Sequence, residues 1–158
     1  MKYLAPVQRQ RRRNGTGFVE FALVAPILLA LVMGIIDFGW MERNTLIISN
    51  ATREGARAAS LGQLTANIRT RIINAAIPPF PQEAASTGVI SNGSIVMQQG
   101  VTNSSDVTTY SAWPADSGSK NGVMSGNLVR ITVNYTHRSI TGLFNRSVSI
   151  QFSMRREA

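Results

Sequence analysis

Cysteine is absent, which excludes both a disulfide framework and thiol chemistry. One histidine, His137, leaves little for imidazole-based metal binding or acid–base work. There is no His-Glu-x-x-His helix, no glycine-rich phosphate loop closing on Lys-Ser/Thr, and no Cys/His cluster. The stretch "DSGSKNG" sets a serine near Lys120, but no base spacing or strand–helix context supports a nucleophile there. His137 ends a strand pattern and reads as a surface or capping residue, while Asp106 and Asp116 read as solvated loop acids. The expectation is a chain that is not an enzyme and carries no cofactor and no metal.

Acids are also scarce, 8 against 16 basic residues, for a formal charge of +8. The imbalance is local. Residues 1–15 carry Lys2, Arg9, Arg11, Arg12 and Arg13 and no acid, which is +5; the remaining eleven bases and eight acids leave +3. A basic run that abuts an apolar segment reads as a membrane-topology signal rather than a nucleic-acid patch.

That apolar segment is the longest feature present. Phe18 to Ile36 gives nineteen residues broken only by Glu20. As a helix they measure roughly 28 Å, against about 30 Å for a bilayer core. The run is longer than a secretory signal core, and "IIDFGWMER" after it offers no small-x-small cleavage site. A single span over 16–40 is expected, with a cytoplasmic N-terminus, residues after Asp37 outside, and Trp40 at the interface. Pro26 removes the donor to the Ala22 carbonyl and loosens the helix. Ala30 and Gly34 form a small-xxx-small pair that admits a second helix.

Glu20 needs a reason, because a carboxylate at membrane depth is expensive and is usually paired or functional. Gly15 lies five positions before it, in "GTGFVEF". A basic leader, a glycine, then a glutamate five residues into an apolar helix resembles the processing signal of type IV prepilins. The resemblance implies a membrane aspartic peptidase that cuts after Gly15, frees an ammonium on Thr16, and removes residues 1–15. In a filament the neighbour's ammonium would neutralise Glu20, so the carboxylate would select axial register.

The following residues narrow the resemblance. Val19-Glu20-Phe21-Ala22-Leu23, Pro26, Ile36-Asp37-Phe38-Gly39 and Asn50-Ala51-Thr52-Arg53-Glu54-Gly55-Ala56-Arg57 are similar to the TadE-like minor pilins (pseudopilins) of the tight-adherence, or Flp, branch of type IV pili. The C-terminal "VRITVNYTHRSITGLFNRSVSIQFSMRRE" looks more loosely like the family's closing strands, and about Pro78 to Asn127 has no match. The resemblance implies an inner-membrane protein with a periplasmic C-terminal domain, and a part in initiating or priming a pilus used in cell adhesion and biofilm formation. Implied partners are a prepilin peptidase, other minor and major pilins, the inner-membrane assembly platform and lipid, with no nucleic acid. The alternative is an uncleaved, membrane-anchored extracytoplasmic binding module.

Beyond the span, 41–77 continues as helix, with Ala51, Gly55 and Ala59 in a smooth stripe at i, i+4, i+8. Exposed small-residue seams of this kind suggest related subunits as companions. Gly62 marks a break, and Glu54 and Arg57 form an i,i+3 pair. "IPPFP" ends the helix, and 78–158 is β-rich. A strand is expected at Ser94–Gln99, then a long exposed loop over 100–127. Tyr110 and Trp113 in that loop read as a binding spot, or Trp113 as a plug at the sheet edge. Leu128–His137 and Ser147–Met154 alternate with period two and predict an antiparallel pair. The fold class expected is α+β and pilin-like: a long N-terminal helix, membrane-spanning in its first half, with a small antiparallel sheet on its outer half.

Overall fold

The computed structural model describes residues 15–81, 90–139, 142 and 145–157. The chain divides into two units, Met1–Ile36 and Asp37–Ala158. The first helix, α1, Thr16–Ser60, runs through both, and a second, α2, covers Thr65–Ala75. Four strands follow: β1 Gly93–Thr102, β2 Thr108–Ala112, β3 Leu128–His137 and β4 Arg146–Arg155. They form one antiparallel sheet in the order β2-β1-β3-β4. The expected α+β architecture, an apolar N-terminal helix with a small antiparallel sheet, is what the chain adopts.

In the larger unit the outer part of α1 packs on the sheet. Ile48, Ala51, Ala56 and Ala59 of α1, Ile68, Ile72 and Ile73 of α2, Phe80, and Val129, Ile131 and Val133 of β3 make the core. Alternation in β3 is complete: every second residue from Val129 to His137 is buried. Asn44 on α1 donates to the Tyr135 hydroxyl at 3.1 Å, tying helix to strand. The Ala51/Gly55/Ala59 stripe therefore faces the protein's own interior rather than presenting a seam. A β-carbon on Gly55 would lie 2.5 Å from Ile72 Cδ1, so the missing side chain is what lets α2 approach.

Helix α1 stops where the sequence places a glycine. Gln63 N–H donates to the Ala58 carbonyl and Gly62 N–H to the Ala59 carbonyl, the paired bonds of a Schellman cap. Gly62 has φ +79°, a conformation that costs a side-chain-bearing residue. The remaining carbonyls at this elbow are taken by distant groups. Arg156, buried, donates from Nη1 to Ser60 O at 3.0 Å, and Glu157 N–H donates to the same oxygen at 2.9 Å. Asn121 Nδ2 donates to Ala59 O at 3.0 Å and Gln63 O at 3.1 Å. A guanidinium at a helix C-terminus also meets the negative end of the macrodipole.

Several expectations are corrected here. The region 100–127 is not one long exposed loop. It contains β2, and its second part, 113–127, straps the α1–α2 elbow through Asn121 and buried Val123. Asp116 is the solvent-exposed loop acid expected, and it also has a partner: Thr65 N–H donates to Asp116 Oδ2 at 3.0 Å, which satisfies an otherwise orphaned donor at the start of α2. Trp113 donates from Nε1 to Thr65 Oγ1 at 2.8 Å beside it. Glu54 pairs with Arg71 of α2 at 3.1 Å rather than with Arg57. His137 is buried, 5% exposed, beside Tyr135 rather than on the surface.

Candidate functional site: an apolar helix and its N-terminal junction

The site follows from what the first unit leaves uncovered. From Phe18 to Ile36 the large apolar side chains of α1 are exposed all round, among them Phe18, Phe21, Leu23, Ile27, Leu28, Leu31 and Ile35. The most apolar 18-residue window has mean hydropathy 2.5, and none of it is buried within the chain. The helix is long and apolar enough to cross a membrane. Water is the wrong solvent for such a surface: at about 25 cal/mol per Å² of apolar area, leaving it hydrated opposes any soluble state strongly. A bilayer, or a bundle of similar helices, would supply the missing cover.

Within that cylinder Glu20 is the odd residue. It is exposed, and the structure gives it no neighbour of opposite charge among the described residues. Gly15 lies in a turn and Thr16 begins the helix, with Val19 N–H donating to Gly15 O at 3.3 Å. The 15–16 peptide thus sits at the helix boundary, where the first N–H groups have no partner inside the helix. Gly17, inside the helix, lowers local propensity by about 1 kcal/mol relative to alanine, whereas Gly15 lies before it in the turn. The rest of the basic leader lies outside the described residues.

Pro26 is accommodated inside α1 without ending it. Ala30 is exposed and Gly34 is open, with nothing within 4 Å of where its β-carbon would be. These two leave a smooth place on a surface that is otherwise large side chains. Ala51, Gly55 and Ala59 belong to a different setting, since they pack inside the larger unit.

The sheet carries a second set of polar groups, on the face turned away from the helices. Tyr110 on β2 lies across Gly100 of β1, its paired residue, and covers it. The Arg130 guanidinium stacks on the Tyr110 ring at 3.0 Å from its centroid. A hydrogen bond with Ser153 holds the Tyr110 hydroxyl below its ordinary pKa of 10.0, with Arg130 acting in the same sense against burial. Sequence reasoning placed Tyr110 in a loop; its role as cover for a strand glycine depends on a pairing that only the folded sheet shows. Asn134 donates to Ser94 Oγ at 3.1 Å and accepts from Ser149 Oγ at 2.7 Å, a polar link across β1, β3 and β4. No three His, Cys, Asp or Glu residues gather as a metal site among the described residues.

Comparison with known proteins agrees with the resemblance drawn from the motifs. Residues 15–57 match the family described as TadE-like protein. The match begins at Gly15, takes in Glu20 and the whole apolar run, and ends in the outer part of α1. No curated protein and no solved structure matches the chain.

Proposed function

We propose that the chain is a minor pilin or pseudopilin of a tight-adherence pilus, anchored by α1 and taking part in initiating or priming assembly. The observation that carries this reading is Glu20, a carboxylate without a cationic partner among the described residues, one helical turn inside an apolar helix whose family match starts at Gly15. A prepilin peptidase cuts between Gly15 and Thr16, where the helix is easiest to unwind. Cutting removes five positive charges that hold the segment at the cytoplasmic face. It also places an ammonium at the positive end of the α1 macrodipole, an arrangement that favours a carboxylate nearby. Glu20 of an adjoining subunit supplies it. Breaking such a buried pair by deleting one partner costs about 3–5 kcal/mol, enough to set the axial register of neighbouring subunits. Ala30 and Gly34 give those neighbours a place of close approach.

This assigns the N-terminus to the cytoplasm and Asp37–Ala158 to the periplasm, with pilins and the inner-membrane platform as partners. The binding-module alternative relied on a free loop at 100–127; half of that loop is committed to the α1–α2 elbow. Two substitutions test the proposal. Gly15→Leu blocks leader removal. Glu20→Ala is processed but fails to enter the assembly, read by co-purification with the other pilins after mild membrane solubilisation. Normal assembly of Glu20→Ala would overturn the charge-pairing account.

A further inference from the structure

Strand β4 ends the sheet. Among the described residues it has a strand neighbour on one side only, β3. Its ten residues contain no proline, no bulge in the register and no internal charge, the devices by which natural edge strands resist pairing. The opposite edge, β2, is half that length, with five residues.

Cover from the helices also stops short of β4. Cross-strand rows show it directly. Val129 pairs with Met154, Ile131 with Phe152 and Val133 with Ile150. The β3 member of each row is fully buried, and the β4 member only half-buried. Phe152 has the Arg53 guanidinium over its ring at 5.0 Å. So, among the described residues, β4 presents an open backbone edge beside a row of incompletely covered apolar side chains.

The charges around this edge select the occupant. Arg146 and Arg155 stand at the two ends of β4, both exposed and without a carboxylate partner among the described residues. Arg53 adds a third cation on the core side. A second copy of this chain is a poor fit: pairing β4 antiparallel with itself sets Arg146 against the other copy's Arg155 at both ends, and like charges directly opposite are destabilising. A strand with acidic ends and apolar residues at alternate positions satisfies both the backbone and the arginines.

We propose that β4 is a strand-addition site for an extended segment of a different polypeptide, apolar at alternate positions and acidic at both ends. Main-chain hydrogen bonds hold the segment, and Arg146 and Arg155 set its register. This holds whether or not residues 1–15 are removed, so it stands apart from the pilin reading.

The test uses the full chain in detergent and two fluorescent ten-residue peptides of alternating valine and threonine, one with glutamate at both ends and one with lysine. The glutamate-ended peptide binds roughly tenfold more tightly, and the preference falls with added salt. Hydrogen exchange of β4 amides slows on binding while α2 amides are unchanged. In the double variant Arg146→Glu with Arg155→Glu, both surface changes, the preference reverses. The proposal is overturned if neither peptide binds, if both bind equally, or if protection appears away from β4. It is equally overturned if the chain without peptide dimerises through β4.

Discussion

Replacing Gly55 by alanine sets two well-measured effects against each other. Gly55 lies in the middle of α1, where glycine costs about 1 kcal/mol relative to alanine, so helix propensity alone predicts stabilisation. The structure predicts the opposite. A β-carbon there would lie 2.5 Å from Ile72 Cδ1 and 3.5 Å from Ile131 Cδ1. Ile72 is fully buried and β-branched, with little freedom to retreat. Overpacking of this kind costs about 1–3 kcal/mol. The expected sum is a loss of about 1 kcal/mol. Ile72→Ala alone should cost about 2–5 kcal/mol through the cavity it leaves. In the double variant the alanine methyl enters part of that cavity, so the two losses fall short of additivity by about 1 kcal/mol or more. Urea unfolding of the full chain in detergent, in a Trp40→Phe background, reads this out through Trp113, which sits at the start of α2. If Gly55→Ala raises stability and shows no coupling to Ile72, then α2 does not pack against Gly55 and the helix layer has been described wrongly.

The elbow and the tyrosines give further tests. Arg156→Met removes one of the two donors to the helix-end Ser60 O and the donor to Glu157 O, a loss of about 1–3 kcal/mol by the same unfolding assay. Arg156→Lys recovers only part of it, because a flexible ammonium does not hold two hydrogens in the fixed plane from which Nη1 reaches both oxygens. Burial raises the Tyr135 pKa above 10.0, against the opposing hydrogen bond from Asn44. Its contribution is intact below the unfolded value and is lost as pH rises through the folded one, so alkaline destabilisation sets in above about pH 10 and is absent in Tyr135→Phe. Phenolate absorbance should show Tyr110 ionising before Tyr135, since the Ser153 hydrogen bond lowers the former. A Tyr110→Phe variant that leaves the early phase in place would contradict that order.

Legibility in the sequence tracked how much of an element's character is local. Strands β3 and β4 were readable because Val129 to Tyr135 and Val148 to Met154 alternate apolar and polar residues, the direct imprint of one buried face. The apolar run and Gly62 were readable for the same reason, one from length and one from its backbone freedom. Strand β2, "TTYSA", has no such imprint. It is a strand because β1 offers an edge and Tyr110 covers Gly100, facts about a partner several residues away. The contacts of Asp116 and Arg156 left no local trace, because the Thr65 donor and the Ser60 acceptor they meet lie 51 and 96 positions distant. The close-packing stripe Ala51/Gly55/Ala59 was visible as a pattern, but a pattern cannot say whether the other surface is another subunit or, as here, α2 and the sheet. Glu20 was visible as an anomaly, and the structure keeps it one: an acid in an apolar helix with no partner of its own among the described residues.

The mature N-terminus is the most direct measurement of that anomaly. Intact mass and N-terminal identification should be made on the chain isolated from membranes and from sheared filaments of cells that carry the matching peptidase. The account predicts a polypeptide that begins at Thr16, lighter by residues 1–15. A chain that still starts at Met1 in both fractions would contradict it, leaving Glu20 with no liberated amine to meet.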